Sequence, residues 1–382
     1  MAEYAGGLFP ESRGKARSTG ILPYQVLREL IRSREISPAE DILPDQVQPA
    51  SLDLRLGSVA YRVRASFLPG PSCSVHDKLG QFVMHEVDLA HGAVLEKGCV
   101  YIVPLLEHLN LSSRVSGLAN PKSSIGRLDV FTRLITDTTT EFERVKPGYE
   151  GPLYVEIFPR TFSIVVRKGS RLNQLRFRRG SPTSSAAELR RLHDEVRLVD
   201  RKLPKDAFAN GGVPLSVDLT NSKGGDLIGY KARPHTGLID VDKADFYDPS
   251  DYWEPISADN RRAIILNPDD FYILASKESV TVPPDHVAEM VAYDTLVGEF
   301  RVHHAGFFDP GFGYTPDHKG ATRAVLEVRS HGVPFAIEDG QTVGRLIYER
   351  LVDIPDRLYG PAIGSSYQNQ GLALSKHFRQ RR

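Results

Sequence analysis

The sequence predicts a mainly-β protein built as two tandem, distorted, jelly-roll-like β-barrels with a few short helices. Three observations predict this fold class. Short runs of Val, Ile, Leu and Tyr alternate with many of the 32 glycines and 26 prolines, which is typical of strands joined by tight turns. The 382 residues exceed the usual size of one domain and suffice for two. Sequence blocks also occur twice in the same order.

The repeated blocks predict a duplicated domain because their order and near-equal spacing agree. VQPASLDLRLG matches VPLSVDLTN, and LEKGCVYIV aligns with LNPDDFYIL without gaps. VKPGYEGPLYVEI is echoed by FDPGFGY and, after an insertion, by AVLEV, whereas VVRKGSRLNQLRF matches AIEDGQTVGRLIY. The paired segments are 47–57 with 213–221, 95–103 with 266–274, 145–157 with 308–328, and 165–177 with 336–348.

The repeat and the changes between strand-like and helical residue patterns also predict the domain organisation. Apolar residues at helical spacing within 22–34 predict a short helix, and 186–199 predicts another helix between the two β-rich halves. The predicted segments are an N-terminal arm (1–20), a first β-barrel (21–182), a helical linker (183–211), a second β-barrel (212–360) and a mobile C-terminal tail (361–382).

Composition argues against several classes of protein. The 48 basic and 48 acidic residues balance, so nothing favours binding to polymeric nucleic acid, which usually needs a basic surplus. Cys73 and Cys99 are too few for a disulfide scaffold or a cysteine-rich zinc site, which indicates a reducing setting. No apolar run reaches the ~18 residues of a membrane span, and no signal-peptide pattern is present. We therefore expect a cytoplasmic protein without membrane contact.

The segment KSSIGR (122–127), called the KSSIGR loop below, carries two hydroxyls, a lysine and an arginine. Hydroxyls and loop amides can hydrogen-bond to phosphate oxygens, and cations neutralise their charge. This composition suits a phosphate-bearing ligand. The alternative is that Lys122 and Arg127 are ordinary solvated residues and that Ser123 and Ser124 close a turn.

Two glutamates lie inside apolar, strand-like runs, where Glu156 follows Val155 and Glu327 follows Leu326. Because side chains alternate between the two faces of a strand, each glutamate points away from its apolar neighbours. One interpretation is a carboxylate that faces solvent. The functional alternative is a carboxylate in a cleft, which takes a proton from water and passes it on.

Taken together, the motifs resemble the dCTP deaminase and dUTPase superfamily over about 21–180 and 212–376. Each motif is weak alone, whereas the set is specific, and it implies dUTPase-like distorted β-barrels. The matching motifs are a QPxSxDLRLG strand at 48–57, an SSxxR loop at 122–127, an AxxxDPG turn at 305–312, a VLE strand at 325–327 and a YxxQ tail at 367–370.

The resemblance implies hydrolytic deamination of dCTP to dUTP and ammonia, which supplies dUMP for dTTP synthesis. Zinc deaminases need a complete H-x-E…P-C-x-x-C pattern, which two isolated cysteines cannot provide, so a zinc-independent reaction is expected. By resemblance, Glu327 is the general acid/base, while Ser123 and Arg127 orient water and stabilise charge. Substrate-binding residues are expected at Lys122, Ser124, Ala305, Asp309, Gln341, Tyr348, Tyr367, Gln370 and Lys376.

The two copies depart from the family in complementary ways. The first copy keeps the KSSIGR loop but has Lys146 where the family has a turn aspartate, and it carries an insertion around 137–143. The second copy keeps the turn, the glutamate and the tail, but its loop at 292–298 lacks the serine pair and the arginine. We therefore hypothesise one composite site that uses the loop of the first copy and the other elements of the second. The alternative uses Glu156 within a ring of first-copy domains.

The resemblance also implies ligands and partners, and it implies that the C-terminal tail (361–382) closes on the nucleotide. We expect Mg²⁺ bound through the substrate triphosphate, because Mg²⁺ usually binds through phosphates and waters rather than a protein cage. The expected partners are dCTP and dUTP, with dTTP as a feedback inhibitor and self-association as a trimer or pseudo-oligomer. Ser366 stands where the family tail has lysine, so Lys376 or an arginine of the RQRR end could replace it. Two alternatives remain open: a dUTP diphosphatase or bifunctional enzyme, and a non-catalytic nucleotide-binding homologue.

Overall fold

The computed structural model describes most of both halves of the chain. Ala305, Ser366 and most of the predicted 1–20 arm lie outside the described residues. The described residues are 17–204, 206–222, 224–292, 300–302, 306–315, 322–330, 332–360, 367–368 and 370–380, with only the backbone described at 292 and 300–302.

Strands dominate the first half of the chain, as its short apolar runs predict. The helix predicted within 22–34 is confirmed as α1. The elements of this half are β1 (Gly20–Ile21), α1 (Tyr24–Arg32), β2 (Ile36–Pro38), β3 (Leu52–Leu54), β4 (Val59–Val63), α2 (Val75–Phe82), β5 (Val83–Asp88), β6 (Ala93–Leu95), β7 (Val100–Asn110), β8 (Val115–Pro121), α3 (Ser123–Gly126), β9 (Val130–Thr136), β10 (Arg144–Val145), β11 (Glu150–Pro159), β12 (Ile164–Val166) and β13 (Asn173–Arg179).

The second half begins with the helix predicted within 186–199. Ser185 and Glu188 form a capping box at its start, which satisfies two amides that the first helical turn leaves free. The elements of this half are α4 (Ala186–Val196), β14 (Val213–Ser216), β15 (Leu227–Ala232), β16 (Ile239–Asp240), α5 (Pro249–Tyr252), β17 (Trp253–Ser257), β18 (Ala263–Leu266), β19 (Phe271–Ser279), β20 (His286–Ala292), β21 (Phe300–Val302), β22 (Phe307–Phe308), β23 (Arg323–Ser330), β24 (Phe335–Glu338) and β25 (Thr342–Arg350).

The chain divides into two compact units, and each takes segments from both halves of the sequence. The first-copy unit contains Tyr24–Gly180, Arg233–Tyr252 and the described residues of Ser375–Arg382. The second-copy unit contains the described residues of Met1–Pro23, together with Ser181–Ala232 and Trp253–Leu374. Residues 233–252 and 375–380 therefore lie with the first copy, although the second half of the sequence encodes them.

The first-copy unit is made of several β-sheets. One has the strand order β5-β4-β7-β11-β9, with β2 also paired to β7, and another has the order β13-β8-β10, with β3 paired to β13. A third sheet joins β6 and β12 to β16, which the 233–252 segment supplies. Arg167, one residue beyond β12, forms a bidentate ion pair with Asp240 of β16, which fixes this segment to the first copy.

The second-copy unit repeats this arrangement with sheets ordered β17-β15-β19-β23-β21 and β14-β25-β20-β22, and with the pair β18-β24. Leu215, Leu274, Leu326 and Leu346, from four of these strands, belong to one buried cluster. Burying a leucine fully stabilises the fold by about 2 kcal/mol, so this cluster fixes β23 in place. These sheets confirm the predicted mainly-β fold class.

The strand glutamates of the two copies occupy the same register. Glu156 of β11 faces Ile102 of β7, and Glu327 of β23 faces Ile273 of β19. Ile102 and Ile273 are equivalent positions of the sequence repeat, so the strand pairing agrees with the duplication that the sequence predicts. Only 1% of Glu156 and 6% of Glu327 is exposed, so the solvent-facing interpretation is wrong for both.

Candidate active site

Glu327 lies on β23, which runs between β19 and β21. Every residue of β23 is buried, so the side chains on both faces of the strand are shielded from water. A carboxylate in such surroundings needs a polar partner or a proton, because burying an isolated charge is costly. Glu327 is therefore a buried carboxylate on an internal strand and not a surface glutamate.

The DPGFG turn (309–313) is shaped by main-chain hydrogen bonds. The amide of Gly311 donates to the carbonyl of Val282 (3.1 Å), and the amide of Val282 donates to the carbonyl of Phe312 (2.8 Å). Gly313 has φ 63°, and a Cβ there would lie 2.0 Å from the Val280 carbonyl oxygen. Only glycine fits this position. The turn therefore holds Asp309, which is buried, in one place.

The C-terminal tail docks on the same unit through two glutamines. The side chain of Gln368 accepts from the amide of Gly313 (3.3 Å) and donates to the carbonyl of Gly311 (3.2 Å). Gln370 accepts at its carbonyl from the amide of Arg323 (3.0 Å), and its side chain donates to the Arg323 carbonyl (3.2 Å). The tail thus contacts both the DPGFG turn and the first residue of β23. Sequence reasoning missed Gln368, although it lies two residues before Gln370.

Three further predicted binding residues have structural partners in the second-copy unit. Tyr348 is fully buried and donates its hydroxyl to the Thr281 carbonyl at 2.9 Å, and burial raises the pKa of this phenol. Gln341 accepts from the amide of Glu338 (3.1 Å), which closes the turn between β24 and β25. Tyr367 is buried, and its amide donates to the hydroxyl of Tyr359 (3.2 Å). Their contacts with substrate stay predictions.

The KSSIGR loop belongs to the first-copy unit and contains the helical turn α3. The amides of Ile125 and Gly126 donate to the Lys122 carbonyl (2.8 and 3.0 Å), and that of Arg127 donates to the Ser123 carbonyl (3.2 Å). Ser124 and Arg127 are each 4% exposed, so the interpretation as an ordinary solvated arginine is wrong. The loop is therefore a folded helical turn with Ser124 and Arg127 buried in it.

Lys122, the first residue of this loop, forms an ion pair with Asp53. Burial lowers the pKa of Lys376, the charge of Lys122 lowers it further, and Asp53 and Asp242 partly oppose these effects. Binding of a phosphate by Lys122 and Lys376 stays a prediction.

Glu156 has a partner within the first-copy unit. Arg133 of β9 lies directly across from it and donates from Nε to Glu156 Oε1 at 2.9 Å. The Arg133 guanidinium lies over the Phe142 ring, 4.0 Å from its centroid, and Phe142 belongs to the 137–143 insertion. The insertion that distinguishes this copy therefore covers an ion pair that engages its strand glutamate.

No helix among the described residues is long and apolar enough to cross a membrane. The same residues contain no group of three or more His, Cys, Asp or Glu side chains placed to hold a metal ion.

Comparison with known family models shows which protein family this chain belongs to. Residues 18–181 match the family model of the 2'-deoxycytidine 5'-triphosphate deaminase N-terminal domain, and residues 185–378 match that of the C-terminal domain. The chain belongs to the dCTP deaminase family. Both copies of the repeat are therefore parts of a recognised two-domain dCTP deaminase arrangement, which confirms the resemblance inferred from the motifs.

Individual dCTP deaminases are similar in sequence to parts of this chain. It is 38% identical over 109 residues to the dUMP-forming dCTP deaminase of Halobacterium salinarum, a match that covers 28% of this chain and 52% of that protein. It is 32% identical over 160 residues to the dCTP deaminase of Halorubrum lacusprofundi, which covers 41% and 72%. The chain thus spans only about half the length of the first of these relatives.

A solved structure matches over a much longer stretch. The crystal structure of 2'-deoxycytidine 5'-triphosphate deaminase from Agrobacterium tumefaciens is 55% identical in sequence and superimposes with a TM-score of 0.83. The match covers 89% of this chain and 100% of that one. The two-copy architecture is therefore shared with a solved dCTP deaminase.

Proposed function

We propose that this chain catalyses the hydrolytic deamination of dCTP to dUTP and ammonia. The observation that carries the proposal is Glu327, a buried carboxylate on the VLE strand of a dCTP deaminase family member, in the unit where the tail binds the DPGFG turn and the first residue of that strand. The match to a dCTP deaminase at 55% identity over 89% of this chain supports the same substrate.

The proposed chemistry assigns proton transfer to Glu327. The carboxylate takes a proton from water, the resulting hydroxide attacks C4 of cytosine, and the proton passes toward N3 and the amino group. Ammonia leaves, and uracil remains, so one water is consumed for each ammonia released. We propose that Ser123 and Arg127 orient the water and stabilise the developing charge, as the family motif implies.

Glu327 is a better candidate for this role than Glu156. A general base must be free to gain and lose a proton during the cycle. Glu156 is hydrogen-bonded to Arg133, whose guanidinium lies over Phe142, whereas Glu327 lies in the unit that carries the DPGFG turn and the glutamines of the tail. We propose that Glu156 is a structural residue of the first-copy unit.

We propose that the reaction needs no zinc and that Mg²⁺ accompanies the substrate. The sequence lacks a complete zinc-deaminase pattern, since Cys73 and Cys99 cannot form a C-x-x-C pair. Mg²⁺ would be held by phosphate oxygens and water. Lys122 and Lys376 support this assignment, because basic side chains bind phosphate oxygens and do not coordinate a metal cation.

A second candidate is a bifunctional reaction that continues from dUTP to dUMP and pyrophosphate. The observation that favours it is the number of similar proteins described as dUMP-forming, including those of Halobacterium salinarum and Methanobrevibacter smithii. Either product would supply dUMP for dTTP synthesis, and inhibition by dTTP remains an expectation.

The experiment that tests the proposal measures ammonia and pyrophosphate from dCTP, CTP, dCMP and dUTP, each with and without Mg²⁺. We expect ammonia from dCTP with Mg²⁺, and much less from CTP and dCMP. Pyrophosphate released in step with ammonia supports the bifunctional reaction. Binding of dCTP without any ammonia would instead support the non-catalytic alternative.

A further inference from the structure

Ser375 contacts the backbone of the KSSIGR loop inside the first-copy unit. Its Oγ lies 2.7 Å from the main-chain carbonyl oxygen of Ser124, and Ser375 is fully buried. A regular α-helix would direct the Leu128 amide to that oxygen. The Leu128 amide donates instead to the Ile125 carbonyl at 3.0 Å. Ser375 therefore supplies the Ser124 carbonyl with a hydrogen-bond donor that the end of α3 does not supply.

His377 holds Ser375 from the other side. Its Nδ1 lies 2.7 Å from Ser375 Oγ, and its Nε2 lies 2.9 Å from the main-chain oxygen of Val241. His377 is also fully buried. Since a carbonyl only accepts, Nε2 carries the hydrogen, and in the neutral ring Nδ1 is an acceptor. The single hydroxyl hydrogen of Ser375 is then shared between two acceptors, His377 Nδ1 and the Ser124 carbonyl, and together they fix the position of the Ser375 side chain.

Aromatic packing fixes the same segment. The Phe378 ring lies 5.4 Å from the ring of Tyr252 and 6.4 Å from that of Tyr247, both with edge-to-face geometry. The amide of Tyr247 donates to the His377 carbonyl at 3.1 Å. The segment is therefore held independently of the KSSIGR loop, so it can act as a support for the loop.

We propose that Ser375 and His377 are positioning residues, which hold the backbone at Ser124 so that the flanking Ser123 and Arg127 keep one orientation. This inference rests on the proposed function of the KSSIGR loop in deamination. The polar side chains of the loop lie on a single helical turn, where a displaced carbonyl shifts its neighbours as well. A misplacement of about 1 Å can cost about a hundredfold in rate.

Ser170 offers a matched control in the same unit. It is 4% exposed, its Oγ donates to Asp242 Oδ2 at 2.8 Å, and it accepts from the amide of Arg167 at 2.9 Å. Like Ser375, it is a buried serine of the first-copy unit whose hydroxyl joins segments far apart in sequence. Its hydroxyl partners, Asp242 and Arg167, lie outside the KSSIGR loop, so Ser170→Ala reports the general effect of losing a buried hydroxyl.

The test compares Ser375→Ala, Ser375→Thr, His377→Ala and Ser170→Ala with the unmodified full chain. We measure kcat and KM for dCTP deamination and amide hydrogen exchange of residues 122–128. For Ser375→Ala we expect kcat to fall about tenfold with KM changed less than about twofold, and loop amides to exchange faster. Ser375→Thr, which keeps the hydroxyl, recovers most of kcat. His377→Ala behaves like Ser375→Ala, whereas Ser170→Ala keeps both kcat and loop exchange near those of the unmodified chain.

The two readouts separate this inference from the proposed function. If the unmodified chain releases no ammonia from dCTP, the proposed function fails, and hydrogen exchange alone decides the positioning role. Faster loop exchange in Ser375→Ala than in Ser170→Ala supports that role. Equal exchange in these two variants, or equal kcat in an active enzyme, overturns it.

Discussion

Arg133 donates a hydrogen bond from Nε to Glu156 Oε1 at 2.9 Å, directly across the β9–β11 ladder. Glu327 is the equivalent residue of the other copy by sequence repeat and by strand register. One glutamate is thus tied to a neighbouring guanidinium, and we assign catalysis to the other. We base this assignment on the unit that holds each residue, because Glu327 lies in the unit that carries the DPGFG turn and the glutamines of the tail, and Glu156 does not.

Replacing Glu156 with glutamine should affect stability more than activity. The variant leaves Arg133 without its anionic partner in a mostly buried position, so we expect the free energy of unfolding to fall by about 2 kcal/mol. We expect kcat for dCTP to stay within about threefold of the unmodified chain. Denaturant titration and the ammonia assay check these outcomes, and loss of activity in a folded Glu156→Gln variant would contradict them.

The polar groups of the KSSIGR loop should matter for the chemical step. Ser123→Ala and Arg127→Ala should each lower kcat by about 10²–10³, the usual effect of losing a preorganised donor. The matched control is Lys146→Ala, which removes an exposed cation of the same unit at the lost turn. Steady-state ammonia release should stay near normal in this control. Comparable losses in all three variants would argue against a specific role for the loop.

Gly313 should tolerate no side chain. Gly313→Ala places a Cβ 2.0 Å from the Val280 carbonyl oxygen, whereas a Cβ at Gly340 meets nothing within 4 Å. Both glycines have positive φ, so Gly340→Ala isolates the conformational cost of about 1–2 kcal/mol. We expect Gly313→Ala to lower the free energy of unfolding by more than this and to abolish activity by displacing the DPGFG turn. Equal unfolding midpoints for the two variants would show that the DPGFG turn can shift to accommodate a Cβ at residue 313.

His377 should make stability depend on pH. Burial lowers its pKa from 6.5 to about 4, the Val241 hydrogen bond opposes this, Lys376 lowers the pKa further, and Asp242 and Asp240 raise it slightly. Because the ring is protonated more readily in the unfolded chain, stability falls as pH drops from 6.5 toward 4, by up to about 3 kcal/mol.

The control for this pH effect is His377→Gln, which removes the titrating group. Denaturant midpoints measured between pH 7 and 4.5 should fall more steeply for the unmodified chain than for the variant. Parallel pH profiles for the two proteins would mean that His377 does not contribute.

The sequence predicts the parts of this structure that are set by local pattern. Alternating apolar runs and Gly-Pro turns are properties of short segments, so the mainly-β class and the repeat could be read directly. Helical spacing predicted α1 and α4, whose bounds fall inside 22–34 and 186–199. The turn α3 was not predicted, because four residues are too few to show periodicity and its serines suit a loop equally well.

Features that depend on long-range packing could not be predicted. Arg133 and Glu156 meet because β9 and β11 pair in one register, and nothing in either segment alone specifies that pairing. Residues 233–252 and 375–380 join the first-copy unit through contacts such as Arg167 with Asp240, far apart in sequence. For the same reason the sequence did not predict a role for Ser375 or His377, which lie in the tail that was predicted to be mobile.

Ammonia release from dCTP by the Glu327→Gln variant, measured beside Glu156→Gln and the unmodified chain, tests the assignment of catalysis most directly. We expect Glu327→Gln to bind dCTP and to lose activity by about 10³ or more, while Glu156→Gln remains active. A Glu327→Gln variant that deaminates dCTP at the normal rate would contradict the assignment.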